Sequence, residues 1–332
     1  MKKLLLLLLI ITTVISCKKD DEGEVIDPNK QVITLALPKG FPYPNIPSDN
    51  QPTQYRIDLG KKLFFDPILS RDSTISCSSC HLQDKFFQDG LPKAVGIDSL
   101  IGIRNSPSLL NAAYLPYVFW DGGVPNLEQQ VLAPIEAHFE MDFDVNMVVQ
   151  RLKNNPDYVT MSYNAYEQEP SVYVLTRAIA CFERTLFTGK SKFDDYQYYN
   201  DLSAYTASEL NGHNIFFGEK GECFHCHGTY NFTDHSFKNN GLYLNYVDSG
   251  RARITTLNSD VGKFKVPSLR NIEMTAPYMH DGSMATLEEV VDHYNTGGKN
   301  HPNKSGLLVQ LNLTQQEKTD LVNFLKALTD QP

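Results

Sequence analysis

Two stretches decide how this chain is read: SCSSCH at residues 76–81 and ECFHCH at residues 222–227. In each, two cysteines three positions apart are followed at once by a histidine. At that spacing both thiols sit on one starting helical turn and reach the two vinyl groups of a single haem, while the histidine faces the iron. A bare Cys-x-x-Cys would also suit a redox dithiol or half of a zinc site. The histidine adjoining both pairs favours haem. Cys77, Cys80 and His81 therefore read as one haem c site and Cys223, Cys226 and His227 as a second, with both histidines on iron.

Outward from these motifs lies a repeat. PSLLN (107–111), FWDGG (119–123), Leu127, Glu128 and Val131 recur as PSLRN (267–271), MHDGS (279–283), Leu287, Glu288 and Val291, every pair 160 residues apart. LFFD (63–66) and IFFG (215–218) precede the two cysteine pairs. Capping boxes at Thr206/Glu209, Thr286/Glu289 and Thr314/Glu317 each open a run with helical apolar spacing. The pattern predicts an all-α fold of two haem-binding units related by internal duplication, spanning 53–200 and 201–332.

The N-terminus predicts export. Lys2 and Lys3 precede the apolar run Leu4–Ile11, and Val14-Ile15-Ser16 leads into Cys17. Residues 1–16 read as a lipoprotein signal peptide with Cys17 lipidated, the alternative being an ordinary signal with an incidental cysteine. The expected location is lipid-anchored at the outer membrane, facing the periplasm or the cell surface. Residues 17–52 read as a polar tether running into a Pro-rich segment that lies on the body. Losing Lys2 and Lys3 takes the formal charge from −9 to −11. An acidic surface disfavours nucleic acid and suits a basic protein partner. Cys181, within Val172–Phe187, reads as a buried inert thiol.

The sixth iron position decides function. On the segment opened by Thr286, residues Leu287, Val290, Val291 and Tyr294 share one face. Tyr294 then points inward and places its phenolate on iron, or serves as a core tyrosine. Its counterpart 160 residues earlier is Pro134, which cannot ligate. Glu140 could stand over the first haem and move a proton between peroxide oxygens, with Glu136 competing for that role. His138 would instead ligate and close the first iron. Trp120, the only tryptophan, packs or relays electrons.

LGKKLFFDP (59–67), SCSSCH (76–81), RNSP (104–107), FWDG (119–122), PIEAHFEM (134–141), CFHCH (223–227) and TAPYMHDG (275–282) resemble the bacterial di-haem cytochrome c peroxidase family, with its MauG-like members, from about Tyr55 to the C-terminus. The resemblance implies two cytochrome c-like α domains, with a peroxidatic first haem and an electron-transferring second. It assigns catalysis to Glu140, bridging to Trp120 and a distal-pocket place to Gln130 and Pro134. It also implies a calcium ion held by the Asn105 side chain and the carbonyls of Thr275 and Pro277. Two features depart from typical peroxidases. The loop position of their blocking histidine is Ile97 here, and Tyr294 stands where they carry methionine, as in MauG-like members. Both imply a first haem open without reductive activation. The expected partners are hydrogen peroxide and a protein donor, a small cytochrome c or cupredoxin; a homodimer is left open. The alternatives are a MauG-like oxidase of a partner protein and a non-catalytic electron-transfer cytochrome.

Overall fold

Each half is organised by one close crossing of two helices. In the computed structural model, which describes residues 27–331, the first half runs through α1 (Gln54–Phe65), α2 (Cys77–Cys80), α3 (Leu127–Gln130), α4 (Leu132–Glu136), α5 (Val145–Lys153), α6 (Pro156–Tyr166) and α7 (Val172–Glu183). The second continues through α8 (Lys192–Tyr198), α9 (Ala207–Phe217), α10 (Phe224–His227), α11 (Ala252–Thr255), α12 (Leu287–Thr296) and α13 (Gln315–Lys326). Cys17 and the signal segment lie outside the described residues.

Helix α1 starts where the Thr53 hydroxyl accepts the Arg56 N–H at 3.3 Å. It buries Leu59, Leu63 and Phe64 against Leu175, Ile179 and Phe182 of α7. A fully buried side chain of this kind stabilises by roughly 1.5–3 kcal/mol. At the crossing a Cβ on Gly60 would stand 1.9 Å from the Ala178 carbonyl oxygen, so only glycine allows the approach. The second half repeats the device. Phe216 of α9 packs on Phe324 of α13, and a Cβ on Gly212 would stand 2.0 Å from the Asp320 carbonyl oxygen. The three expected capping boxes form, and Ser191/Asp194 opens α8 in the same way.

The all-α expectation needs one qualification. Helices, α and 3-10 together, take less than half of the described residues, and β1 (Phe237–Lys238) pairs with β2 (Phe264–Lys265) as a short antiparallel ribbon. Long loops are what a prosthetic group filling much of the core would leave. No helix among the described residues is long and apolar enough to cross a membrane.

The halves meet along a seam with a reciprocal bond pattern. Asn105 N–H donates to the His280 carbonyl at 2.8 Å, and Lys265 N–H donates to the Trp120 carbonyl at 2.7 Å. Asn105 and Lys265 stand 160 residues apart, as do Trp120 and His280. Residues 27–52 strap both halves. Phe41 packs on Tyr114 (5.7 Å between ring centroids) and Tyr230 (4.9 Å), while fully buried Asn50 donates to Glu128 at 2.8 Å.

Candidate active site

Helix α2 is one turn long, and its end is the site. His81 N–H closes that turn on the Cys77 carbonyl at 3.0 Å, and His227 N–H does the same on Cys223 at 2.9 Å. Each imidazole is then oriented by its other nitrogen. His81 Nδ1–H donates to the Phe87 carbonyl at 3.0 Å and His227 Nδ1–H to the Phe232 carbonyl at 2.7 Å. Both acceptor residues sit in the left-handed region, at φ 59° and 51°, a cost accepted where a carbonyl must be aimed. Burial lowers both histidine pKa values, which favours the neutral ring. A neutral ring whose Nδ1–H is engaged carries its lone pair on Nε2, the arrangement of a metal-bound histidine.

One mostly apolar cavity of about 660 Å³ joins the two motifs. Its lining includes Cys77, Cys80, His81, Cys223, Cys226 and His227. The four thiols are unpaired, and burial raises the pKa of each, which keeps them as neutral thiols. Unpaired thiols in twos, an oriented imidazole beside each pair and an apolar cavity fit two covalently held haems.

Facing each motif is one helical stripe. Leu127, Gln130, Val131 and Pro134 line the cavity in the first half, and Leu287, Val290, Val291 and Tyr294 line it in the second. Pro134 has no N–H to give Gln130, and the first stripe divides into α3 and α4 at Val131. The first half thus offers an amide and a proline where the second offers valine and a phenol. Burial raises the Tyr294 pKa, and a hydrogen bond from Asn240 opposes the rise. Met279 also lines the cavity, its sulfur accepting Asn240 Nδ2–H at 3.3 Å. Sequence reasoning passed over that thioether, which lay inside the quoted motif.

Glu140 lines the cavity, and burial raises its pKa. Its backbone is clamped, with its N–H on the Ala137 carbonyl at 2.9 Å and its carbonyl accepting Ile97 N–H at 2.8 Å. A Cβ on Gly96 would stand 2.3 Å from the Phe139 carbonyl oxygen, so the loop can close on Glu140 only with glycine there. Ile97 is fully buried and is not part of the cavity lining. Glu136 is exposed and outside the lining. His138 is 76% exposed and turns away, its Nδ1 3.1 Å from Asp142. Trp120 lines the cavity with its Nε1–H on the Asn105 carbonyl at 2.9 Å. Asn105, Thr275 and Pro277 line it too. Asn105 Nδ2–H donates to Leu91 O at 2.8 Å, which turns its amide oxygen the other way. Cys181 is buried, its thiol pushed up to about 11.

One group escaped sequence reasoning because it sat in an apolar run. Glu183, 4% exposed, lines the cavity with a buried Oε2 that has no partner, and burial pushes its pKa up to about 8.

Comparison with known proteins agrees with this geometry. A family model described as di-haem cytochrome c peroxidase matches residues 54–201. The methylamine utilization protein MauG of Methylorubrum extorquens is 38% identical over 298 residues, covering 89% of this chain and 83% of that protein. The cytochrome c551 peroxidase of Nitrosomonas europaea is 34% identical over 319 residues, covering 91% of each. Among solved structures, a MauG-like protein associated with microbial copper homeostasis superposes with a TM-score of 0.85 at 37% identity, covering 90% of this chain and 96% of that one. With relatives this similar along nearly its whole length, the chain belongs to the di-haem cytochrome c peroxidase family.

Proposed function

We propose that peroxide is reduced at the first site, the one served by His81, and that electrons reach it from the second site past Trp120. The chain is a cytochrome-c peroxidase-type oxidoreductase carrying two haems c, with peroxide as acceptor and a protein as electron donor. In the net reaction hydrogen peroxide, two protons and two electrons give two waters. The observation that carries the assignment is the asymmetry of the facing stripes: Gln130 and Pro134 over one motif, Val290 and Tyr294 over the other.

The haems supply redox equivalents and the metal that binds peroxide. The chain does the rest. His81 and His227 would each hold one haem iron through Nε2. Glu140 would take the proton from one peroxide oxygen and pass it to the other, which leaves as water. Gln130 would offer its amide to a molecule bound in the first pocket, and Pro134, having no donor side chain, would bring no ligand there. Tyr294 would hold the second metal, and an anionic oxygen donor there would lower its potential. Trp120 bridges the sites from the seam. The electron-transfer alternative needs His138 or another side chain to close the first metal, and of these His138 is exposed and outside the cavity lining.

Finer features complete the proposal. The reciprocal seam bonds, matched glycine crossings and 160-residue offset support an internal duplication. Phe193, Tyr196 and Tyr198 pack in the second core, which supports a division near residue 190, ahead of α8, in place of one near 200. Calcium would be held by the Asn105 amide oxygen with the Thr275 and Pro277 carbonyls. Cys17 would anchor the exported protein to the outer membrane, and the donor would be a small cytochrome c or cupredoxin.

Stopped-flow mixing of the fully ferric protein with hydrogen peroxide tests the open first site. The expected result is a fast spectral change without prior reduction. A reaction that needs one-electron reduction first would refute it.

A further inference from the structure

Lys265 is the second-half counterpart of Asn105, 160 residues on, and its backbone N–H is bound to the Trp120 carbonyl at 2.7 Å. Its side chain lines the cavity. The acids along the seam are committed elsewhere: Asp121 and Asp248 both hold Arg104, at 2.7 and 2.6 Å, and Asp260 holds Lys263 at 3.0 Å. Burial alone lowers the Lys265 pKa, to about 8, with no acid of the chain opposing it. His235, close enough to feel the Lys265 charge, follows the second haem motif and has a buried Nδ1 without a partner. The chain therefore places a half-buried lysine without a counter-charge on the mostly apolar cavity, beside Trp120. Such a group is costly to bury unless an anion meets it.

We propose that Lys265 pairs with a carboxylate of the second haem, and that its positive charge at the seam sets the potential from which electrons pass Trp120. The inference rests on the two-haem reading and adds a positioning residue to it. A haem brings two carboxylates, and these would give the ammonium its missing counter-charge. In the first half the same place holds Asn105, a neutral amide, so this fixed charge belongs to the second haem alone.

The test is spectroelectrochemical titration of both haems in the holoprotein, comparing wild type with Lys265→Met, Lys265→Gln and Lys265→Arg. Losing the positive charge favours the ferric state. Lys265→Met and Lys265→Gln should each lower the reduction equilibrium constant of the second haem about tenfold, about 59 mV for one electron. Lys265→Arg should restore most of that shift. A side chain that only packed would respond to size, leaving Lys265→Gln close to wild type. Unchanged midpoints in both neutral variants, or a shift confined to the first haem, would overturn the proposal. The haem-to-protein ratio of the wild type is read separately. A ratio short of two would instead strike the two-haem reading itself.

Discussion

Replacing Glu140 by glutamine should slow the reaction with peroxide by roughly 10²–10⁴-fold while both haems stay attached. The substitution keeps the shape and removes the proton acceptor. Both backbone hydrogen bonds that clamp residue 140, to Ala137 and Ile97, survive it, so lost rate reports lost chemistry. Burial raises the Glu140 pKa, and the reactive form is the carboxylate. The wild-type rate should therefore fall as pH drops through a value above the usual glutamate range, and Glu140→Gln should lose that limb. Glu136→Gln and His138→Ala are the controls. Both side chains are exposed outside the cavity, and both variants should keep the wild-type rate. An unchanged rate in Glu140→Gln would remove the residue from the mechanism.

The largest stability effect should follow Asp194→Ala. Asp194 and Arg270 form an ion pair at 2.7 Å with both side chains 1% exposed. The same Asp194 oxygen accepts Ser191 N–H at 2.9 Å, and Arg270 also donates to the Tyr230 carbonyl at 2.9 and 2.6 Å. Tyr230 lies three residues past His227, so this arginine ties α8 to the loop that follows the second haem ligand. Deleting the carboxylate strands a buried guanidinium, which costs about 3–5 kcal/mol. Urea unfolding should show a loss of that size in Asp194→Ala. Lys30→Ala, breaking an exposed pair with Glu167, should cost under about 1 kcal/mol. Equal losses in the two variants would contradict the buried-pair account.

The parts of the site with strict spacing were legible in the sequence. Covalent haem attachment demands Cys-x-x-Cys-His, and the 160-residue offset aligned Tyr294 with Pro134 before any geometry was known. The structure adds that Leu127, Gln130, Val131 and Pro134 face the same cavity as their four counterparts. Less legible were residues whose meaning depends on what stands opposite. Glu183 reads as the polar end of an apolar helix until its unpartnered oxygen is found against the cavity. Lys265 reads as a surface lysine until the seam closes over it, although its alignment with Asn105 was a signal available in the repeat. Glu140 and Glu136 were separated in sequence only by resemblance. The turn after α4 separates them physically, because it leaves Glu140 half-buried against the cavity and Glu136 in solvent.

The open first metal and the tyrosine-capped second are tested most directly by electron paramagnetic resonance of the resting, fully ferric protein. The expected spectrum has one high-spin haem, from the first site, and one low-spin haem with an oxygen ligand that Tyr294→Phe abolishes. Two low-spin haems in the wild type, unaltered by Tyr294→Phe, would contradict the asymmetry on which peroxide reduction depends.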